Sequence, residues 1–222
     1  MKVIINVAMT LDGKIDNVAR KGAKISSDSD WKRVDKLRAE SDAILVGGRT
    51  LLDEDPRLVV KSAALRDERV ARGFEPDPVK VGVVSKVTLS AKSRFLTVGE
   101  GSVIIFTTEQ TSGSELALLR DAGAVVCVLG KKRVDLAAAL VFLKEWGIEK
   151  LMIEGGGGMN AAFLTAGLVD EIHVYIAPLI FGGATAPTLA DGKGVLDGEK
   201  LKLLELEKLD DGGILAKYQV LR

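Results

Sequence analysis

Short apolar runs, most closed by glycine or a turn and several followed by residues at helical spacing, recur along this chain and restrict the folds open to it. Ala43 to Val46 ends in Gly47-Gly48, and Val79 to Val84 follows Pro76 and Pro78. Val103 to Thr107 and Ala124 to Leu129 come next, and Leu151-Met152-Ile153 ends in Glu154 and four glycines. Short continuous apolar runs bounded by turn signals read as strands buried on both faces. Between them, Ser114 to Ala122 and Asp135 to Trp146 read as helices, the second with Leu136, Ala139, Leu140 and Leu143 on one face. Each stops at a glycine, Gly123 or Gly147, the residue that most easily adopts the left-handed helix end. The pattern predicts a mainly parallel sheet with helices on both faces.

The rest of the chain fits that frame. Val3 to Met9 reads as a further strand, interrupted only by Asn6. Ser27 and Asp30 form a capping-box pattern for a helix whose core face is Trp31, Val34 and Leu37. A short helix over Arg49 to Asp53 stops before Pro56. Lys61 to Pro78 is charged and proline-bearing and reads as a surface excursion inside one domain spanning 1–222. Asp170 to Pro178, Leu201 to Leu206 and Ile214 to Leu221 read as strands. The last two flank Asp210-Asp211-Gly212-Gly213, which predicts an antiparallel hairpin at one sheet edge.

Charge and cysteine usage exclude several functions. Lys plus Arg and Asp plus Glu number 31 each, so no global field draws the chain to nucleic acid or membrane. One cysteine, Cys127, rules out an intrachain disulfide framework or a cysteine-rich zinc site, and its apolar run predicts a buried strand residue. No signal-peptide pattern or run of about 18 apolar residues is present. The expected location is the cytoplasm, and the expected partner is a small molecule.

Chemistry concentrates at the glycine turns. A strand, Glu154, the run Gly155 to Gly158 and a helix starting near Met159-Asn160 form the context in which backbone N–H groups and a helix terminus hold an anion. Glu154 is placed to meet a less charged part of the same ligand or a second substrate. Val46-Gly47-Gly48-Arg49-Thr50 repeats the strand–glycine–helix turn, either as a second ligand edge or to let the helix pack closely. Ser85-Lys86 follows a strand where NAD-selective sites carry a carboxylate; a hydroxyl and a cation there suit the 2′-phosphate of NADP(H). Thr10, Asp12 and Lys14 can line a cleft or simply make a turn. Asp53-Glu54-Asp55 sits at the wrong helix end for three acids and calls for a function, a cation or an arginine partner. Lys131-Lys132-Arg133 reads as a solvated face. His173, the only histidine, reads as a strand residue with polar neighbours, which argues against Ser-His-Asp hydrolysis.

Taken together, Val7 to Lys14, Val46-Gly47 with Arg49-Thr50, Asp55 to Leu58, Glu154-Gly155-Gly156, Gly167 to Pro178 and Phe181-Gly182-Gly183 resemble the riboflavin-biosynthesis pyrimidine reductases, in the same order and over nearly the whole chain. The resemblance implies a dihydrofolate-reductase-like fold: a three-layer α/β/α arrangement with a mixed, mainly parallel sheet and a C-terminal antiparallel hairpin. It implies NADPH as cofactor and a homodimer, for which the apolar terminal strands are the expected surface. The implied reaction reduces a pyrimidine ribosylamine 5′-phosphate to its ribitylamino product. The chain starts at the reductase, so the stand-alone type acting on 2,5-diamino-6-(ribosylamino)pyrimidin-4(3H)-one 5′-phosphate is expected. The alternatives are the deaminated uracil, another heterocycle such as a pterin, or an NADP-binding regulator without catalysis. By the resemblance, Ala8, Thr50, Ser85 and Gly156, Gly157, Gly158, Met159 and Asn160 meet the cofactor, with Gly47 and Lys86 beside them. Glu54 stands where the family commonly has an aspartate near the nicotinamide. Leu58 and Glu154 meet the substrate, Lys61 its phosphate, and Asp12 lies in the cleft. Glu154 is the candidate acid, and no metal is implied.

Overall fold

The structure, a computed structural model, describes residues 1–192 and 198–221. Among the described residues, nine strands follow the order β5-β4-β3-β2-β6-β1-β7-β9-β8 in one mixed sheet, mainly parallel with an antiparallel hairpin at one edge, as the alternation predicts. The chain divides into two compact units, Asp35–Leu151 with Met1, and Lys2–Val34 with Met152–Arg222.

In the first unit, β2 (Ala43–Gly47), β3 (Val79–Val83), β4 (Val103–Thr107) and β5 (Val125–Val128) pair in parallel. Every residue of β2 and β4 is buried, which explains why their sequences carry no polar alternation. Helix α4 (Gly113–Asp121) starts with a full capping box from Ser112 and Glu115. Helix α5 (Leu136–Glu145) buries Ala139 and Leu143 and sets Phe142 edge-on to Phe106 at 5.6 Å. Cys127 lies on β5 but is half-buried rather than buried, and burial pushes its thiol pKa up, away from nucleophilic use.

The excursion from Lys61 to Pro78 is a correction. It holds helix α2 (Ala63–Ala71), capped by Ser62, and two buried charges, Arg69 and Asp77. Arg69 donates to the carbonyls of Ala39, Ser41 and Glu75 at 2.7–2.9 Å, closing the open C-terminal end of the helix before β2. Charged residues with work of this kind fold inward despite a surface-like composition. A second helix without a sequence expectation is α3 (Arg94–Thr97).

Lys80 of β3 is also buried; its ammonium donates to the carbonyls of Phe95 and Val98 and lies 5.5 Å from the Phe95 ring centre. Burial pushes its pKa from 10.5 down to about 8, against the opposing pull of Asp77 and Asp55. Between those values the unfolded chain binds more protons than the native one, so stability rises with pH across that window. At about 1.4 kcal/mol per pKa unit the rise is roughly 3 kcal/mol. Urea unfolding followed from pH 7.5 to 10.5 is expected to show this rise in the wild type and to lack it in Lys80→Met; parallel profiles would contradict it.

The second unit contains β1 (Lys2–Thr10), parallel to β7 (Glu171–Ala177), then β9 (Ile214–Val220) and β8 (Leu201–Lys208) in antiparallel pairing. Asp211 of the β8–β9 turn accepts hydrogen bonds from Ser27, from Tyr175 at 3.2 Å and from the Gly213 amide. Helix α1 (Asp28–Ala39) begins in this unit, with Ser27 accepting the Asp30 amide as its cap. The expected reciprocal capping bond is replaced: Asp30 turns to Arg33, whose Nε donates to it at 2.8 Å. Val34 and Leu37 are buried as expected, but Trp31 is 41% exposed and is not a core residue. His173 is buried on β7 beside Glu171 at 3.1 Å, and burial pushes its pKa down. No helix among the described residues is long and apolar enough to cross a membrane.

Candidate functional site

The glycine turn belongs to the second unit. Strand β6 (Lys150–Ile153) hands over at Glu154 to helix α6 (Gly157–Thr165), so Gly157 and Gly158 lie in the first helical turn. Gly156 is the N-cap, and among the described residues no side chain caps this helix. By contrast, α1, α2, α4 and α5 are capped by Ser27, Ser62, Ser112 and Asp135, and Asp55 accepts the Arg94 and Phe95 amides at the start of α3. An uncapped helix start beside glycines leaves donors and partial positive charge for an anion. A Cβ on Gly155, at φ +99°, or on Gly158 would meet nothing within 4 Å. Gly157 differs, because a Cβ there would overlap the Thr188 carbonyl oxygen. Asn160 is fully buried and donates from Nδ2 to the Leu189 carbonyl at 2.8 Å. Its Oδ1 has no hydrogen-bond partner among the described residues. Glu154 and Met159 are half-buried.

Two other expected residues share this unit. Ala8 packs against the cluster of Ile25, Tyr175 and Ala177. The carboxylate of Asp12 accepts Thr10 Oγ1 at 2.5 Å and the amides of Phe181 and Gly182 at 3.2 and 2.7 Å. Those bonds, the Thr10 hydroxyl first, hold its pKa below the ordinary value. The structure thus gives Asp12 a loop-joining task that the sequence reading did not assign.

The remaining expected residues belong to the first unit. Gly47 ends β2, and a Cβ on Gly48 would lie 3.0 Å from Val84, which supports close packing at that turn. Thr50 opens a π-helical turn, Thr50–Glu54, where a short helix over Arg49 to Asp53 was expected; such turns are frequent at functional sites. The acid run finds an arginine: Arg94 donates to the Glu54 carbonyl at 2.7 Å and pairs with Asp55 at 3.6 Å. Asp55 also accepts Ser93 Oγ at 2.5 Å, and these bonds outweigh burial to hold its pKa low. Asp55 and buried Leu58 both have left-handed backbones, at φ 45° and 48°. For a leucine that conformation is costly, by roughly 1–2 kcal/mol, and held only by its surroundings. Lys61 is exposed, and its amide donates to Asp35 at 2.7 Å. The Ser85 carbonyl accepts Thr108 Oγ1 at 2.6 Å; Lys86 is exposed, and its charge adds to the Ser112 hydrogen bonds that hold the Glu115 pKa low. Among the described residues no group of three His, Cys, Asp or Glu side chains forms a metal site.

Residues 1–215 match the family described as the RibD C-terminal domain. The chain belongs to that family. This RibD C-terminal domain is 40% identical over 210 residues to the 2,5-diamino-6-ribosylamino-4(3H)-pyrimidinone 5′-phosphate reductase of Archaeoglobus fulgidus, covering 95% of this chain and 94% of that protein. Among solved structures, a pyrimidine reductase-like protein from Corynebacterium diphtheriae superposes with a TM-score of 0.86 at 23% identity, covering 100% and 92% of the two chains. A dihydrofolate reductase from Enterococcus faecalis, complexed with NADP(H), gives 0.52 at 12% identity, covering 100% and 97%. These two likenesses show that the RibD domain has the dihydrofolate-reductase-like fold.

Proposed function

We propose that the protein reduces 2,5-diamino-6-(ribosylamino)pyrimidin-4(3H)-one 5′-phosphate to its ribitylamino product with NADPH, as a single catalytic domain. The observation that carries this reading is the uncapped start of α6, with open space at Gly155 and Gly158. A family relative of nearly equal length, bearing the name of that reductase, supports the substrate.

When bound, NADPH supplies a hydride to C1′ of the ribosylamino group in its ring-opened imine form. The backbone donors of Gly156, Gly157 and Gly158 would hold the diphosphate, with Met159 and Asn160 beside it, their own amides already donating to the Gly156 carbonyl. Ala8, Gly47, Thr50 and Glu54 bind the rest of the cofactor, and Ser85 and Lys86 its 2′-phosphate. Glu154 and Leu58 hold the pyrimidine, and Asp12 fixes the loop beside it. Lys61 supplies a point charge for the substrate phosphate. Glu154 would hold the proton destined for the ribosylamino nitrogen, and alignment with exclusion of water would supply the remaining rate.

Lys86→Glu is expected to weaken NADPH about tenfold, for the loss and reversal of one charge contact, with NADH unchanged. Fluorescence titration of both coenzymes reads this, and unaltered selectivity would remove Lys86 from the account. Comparing the diamino substrate with its deaminated uracil tests the substrate; faster turnover of the uracil would reassign it.

We also propose a homodimer. Every residue of edge strand β8 is exposed, including Leu201, Leu203, Leu204 and Leu206, a surface that invites cover. Sedimentation equilibrium should find twice the 23.6 kDa chain mass; a species at that single-chain mass would contradict the dimer.

A further inference from the structure

Gly157 separates itself from its neighbours. Gly155 and Gly158 face open space, whereas Gly157 is closed off by the loop after β7. That loop reaches α6 by three ties. The Asp191 amide donates to the Gly157 carbonyl at 3.0 Å. Asn160 Nδ2 donates to the Leu189 carbonyl at 2.8 Å. The Thr188 carbonyl oxygen lies against Gly157 where a Cβ would stand. The Thr188–Asp191 turn within it is closed by a carboxylate: Asp191 Oδ1 accepts the Thr188 amide at 3.0 Å and Thr188 Oγ1 at 2.8 Å. On its other side the loop is anchored to the segment after β1, where the Ile15 amide donates to Pro187 at 3.0 Å and Lys14 pairs with Thr188.

We infer that Asp191 is a positioning residue for the cofactor: by closing the Thr188–Asp191 turn it holds the first turn of α6 in the place where its amides meet the diphosphate. This rests on the reading of that turn as the NADPH seat. Asp191 touches neither substrate nor cofactor in this account; it acts through the Gly157 backbone. Gly157 is glycine because the Thr188 carbonyl, with the Asp191 carboxylate 3.1 Å from the same point, needs the space. A shift of the turn by a fraction of an ångström misaligns several donors at once, and small misplacements by remote residues are costly.

The test measures NADPH affinity by fluorescence titration alongside turnover at saturating NADPH and Tm. Asp191→Ala is expected to raise the NADPH Kd about tenfold and change saturated kcat by less than about twofold. Asp191→Asn keeps an acceptor for both Thr188 bonds and is expected to retain wild-type affinity. Thr188→Val removes the hydroxyl's bonds to Asp191 and to the Ala190 carbonyl, keeps the amide bond to Asp191, and is expected to give an intermediate rise. A fall in Tm with unchanged Kd in Asp191→Ala and Thr188→Val would make the tie merely structural and overturn the inference. Gly158→Leu places a side chain in the open space and tests the seat itself. If it and the Asp191 variants all bind NADPH like the wild type, the seat reading and the inference both fall. If Gly158→Leu abolishes binding and Asp191→Ala does not weaken it, only the inference falls.

Discussion

Glu154→Gln is expected to lower kcat about 10²- to 10⁴-fold, the usual effect of removing a positioned acid or base, with NADPH affinity held within about twofold. Glutamine keeps the size and planarity of the side chain but has no carboxyl proton to give. Glu154 follows β6 directly and precedes the uncapped start of α6, and it is half-buried. A carboxyl group there faces different chemistry from the backbone donors beside it, so loss of turnover and loss of cofactor binding are separable. Single-turnover mixing with saturating NADPH isolates the chemical step from binding. If Kd for NADPH rises by the same factor as kcat falls, the carboxylate serves the cofactor and not the proton transfer.

Asp77→Ala is expected to destabilise the fold by about 3–5 kcal/mol, the range for breaking a buried charge pair from one side. Asp77 is 1% exposed. Its Oδ1 accepts the Val60 amide at 2.9 Å and pairs with Arg66 at 2.7 Å, and its Oδ2 accepts the Glu100 amide at 2.9 Å. Burial alone would raise its pKa, but the Glu100 amide, Arg66 and the Val60 amide together hold it below the ordinary carboxylate range. A carboxylate lowered in the native state contributes stability that is full above its unfolded pKa and is lost as pH falls through the native value. Alanine would leave the buried Val60 amide, the partly buried Glu100 amide and the Arg66 guanidinium without that acceptor. Urea unfolding at neutral pH reads the loss, and a change below about 1 kcal/mol would show that water replaces the carboxylate, as at an exposed pair.

What the sequence made legible followed from burial. Strands β2 and β4 are apolar at every position but the terminal Gly47 and Thr107, because both faces are covered, and Val103 to Thr107 was readable to the residue. The β8–β9 hairpin was readable from its Asp-Gly turn. Inward-facing charges were not legible. Arg69 and Asp77 carry the same letters as solvated residues, and only tertiary partners, the carbonyls of Ala39 and Ser41 and the amides of Val60 and Glu100, draw them inside. Trp31 erred the other way: helical spacing placed it with Val34 and Leu37, but periodicity does not mark where a core-facing stripe ends. At the candidate site, the glycine run and its helix were legible, whereas the distinct duty of Gly157 was not. It depends on Thr188 and Asp191, about thirty residues further along the chain, whose only local signal is a Thr-x-x-Asp spacing suited to a side-chain-closed turn.

The most direct measurement mixes the purified protein with NADPH and the diamino ribosylamino pyrimidine 5′-phosphate, following the nicotinamide absorbance band and the product mass together. One NADPH consumed for each product molecule, with the product two hydrogens heavier than the substrate, is the predicted result. NADPH that binds and stays reduced while the substrate mass does not change would contradict the central claim.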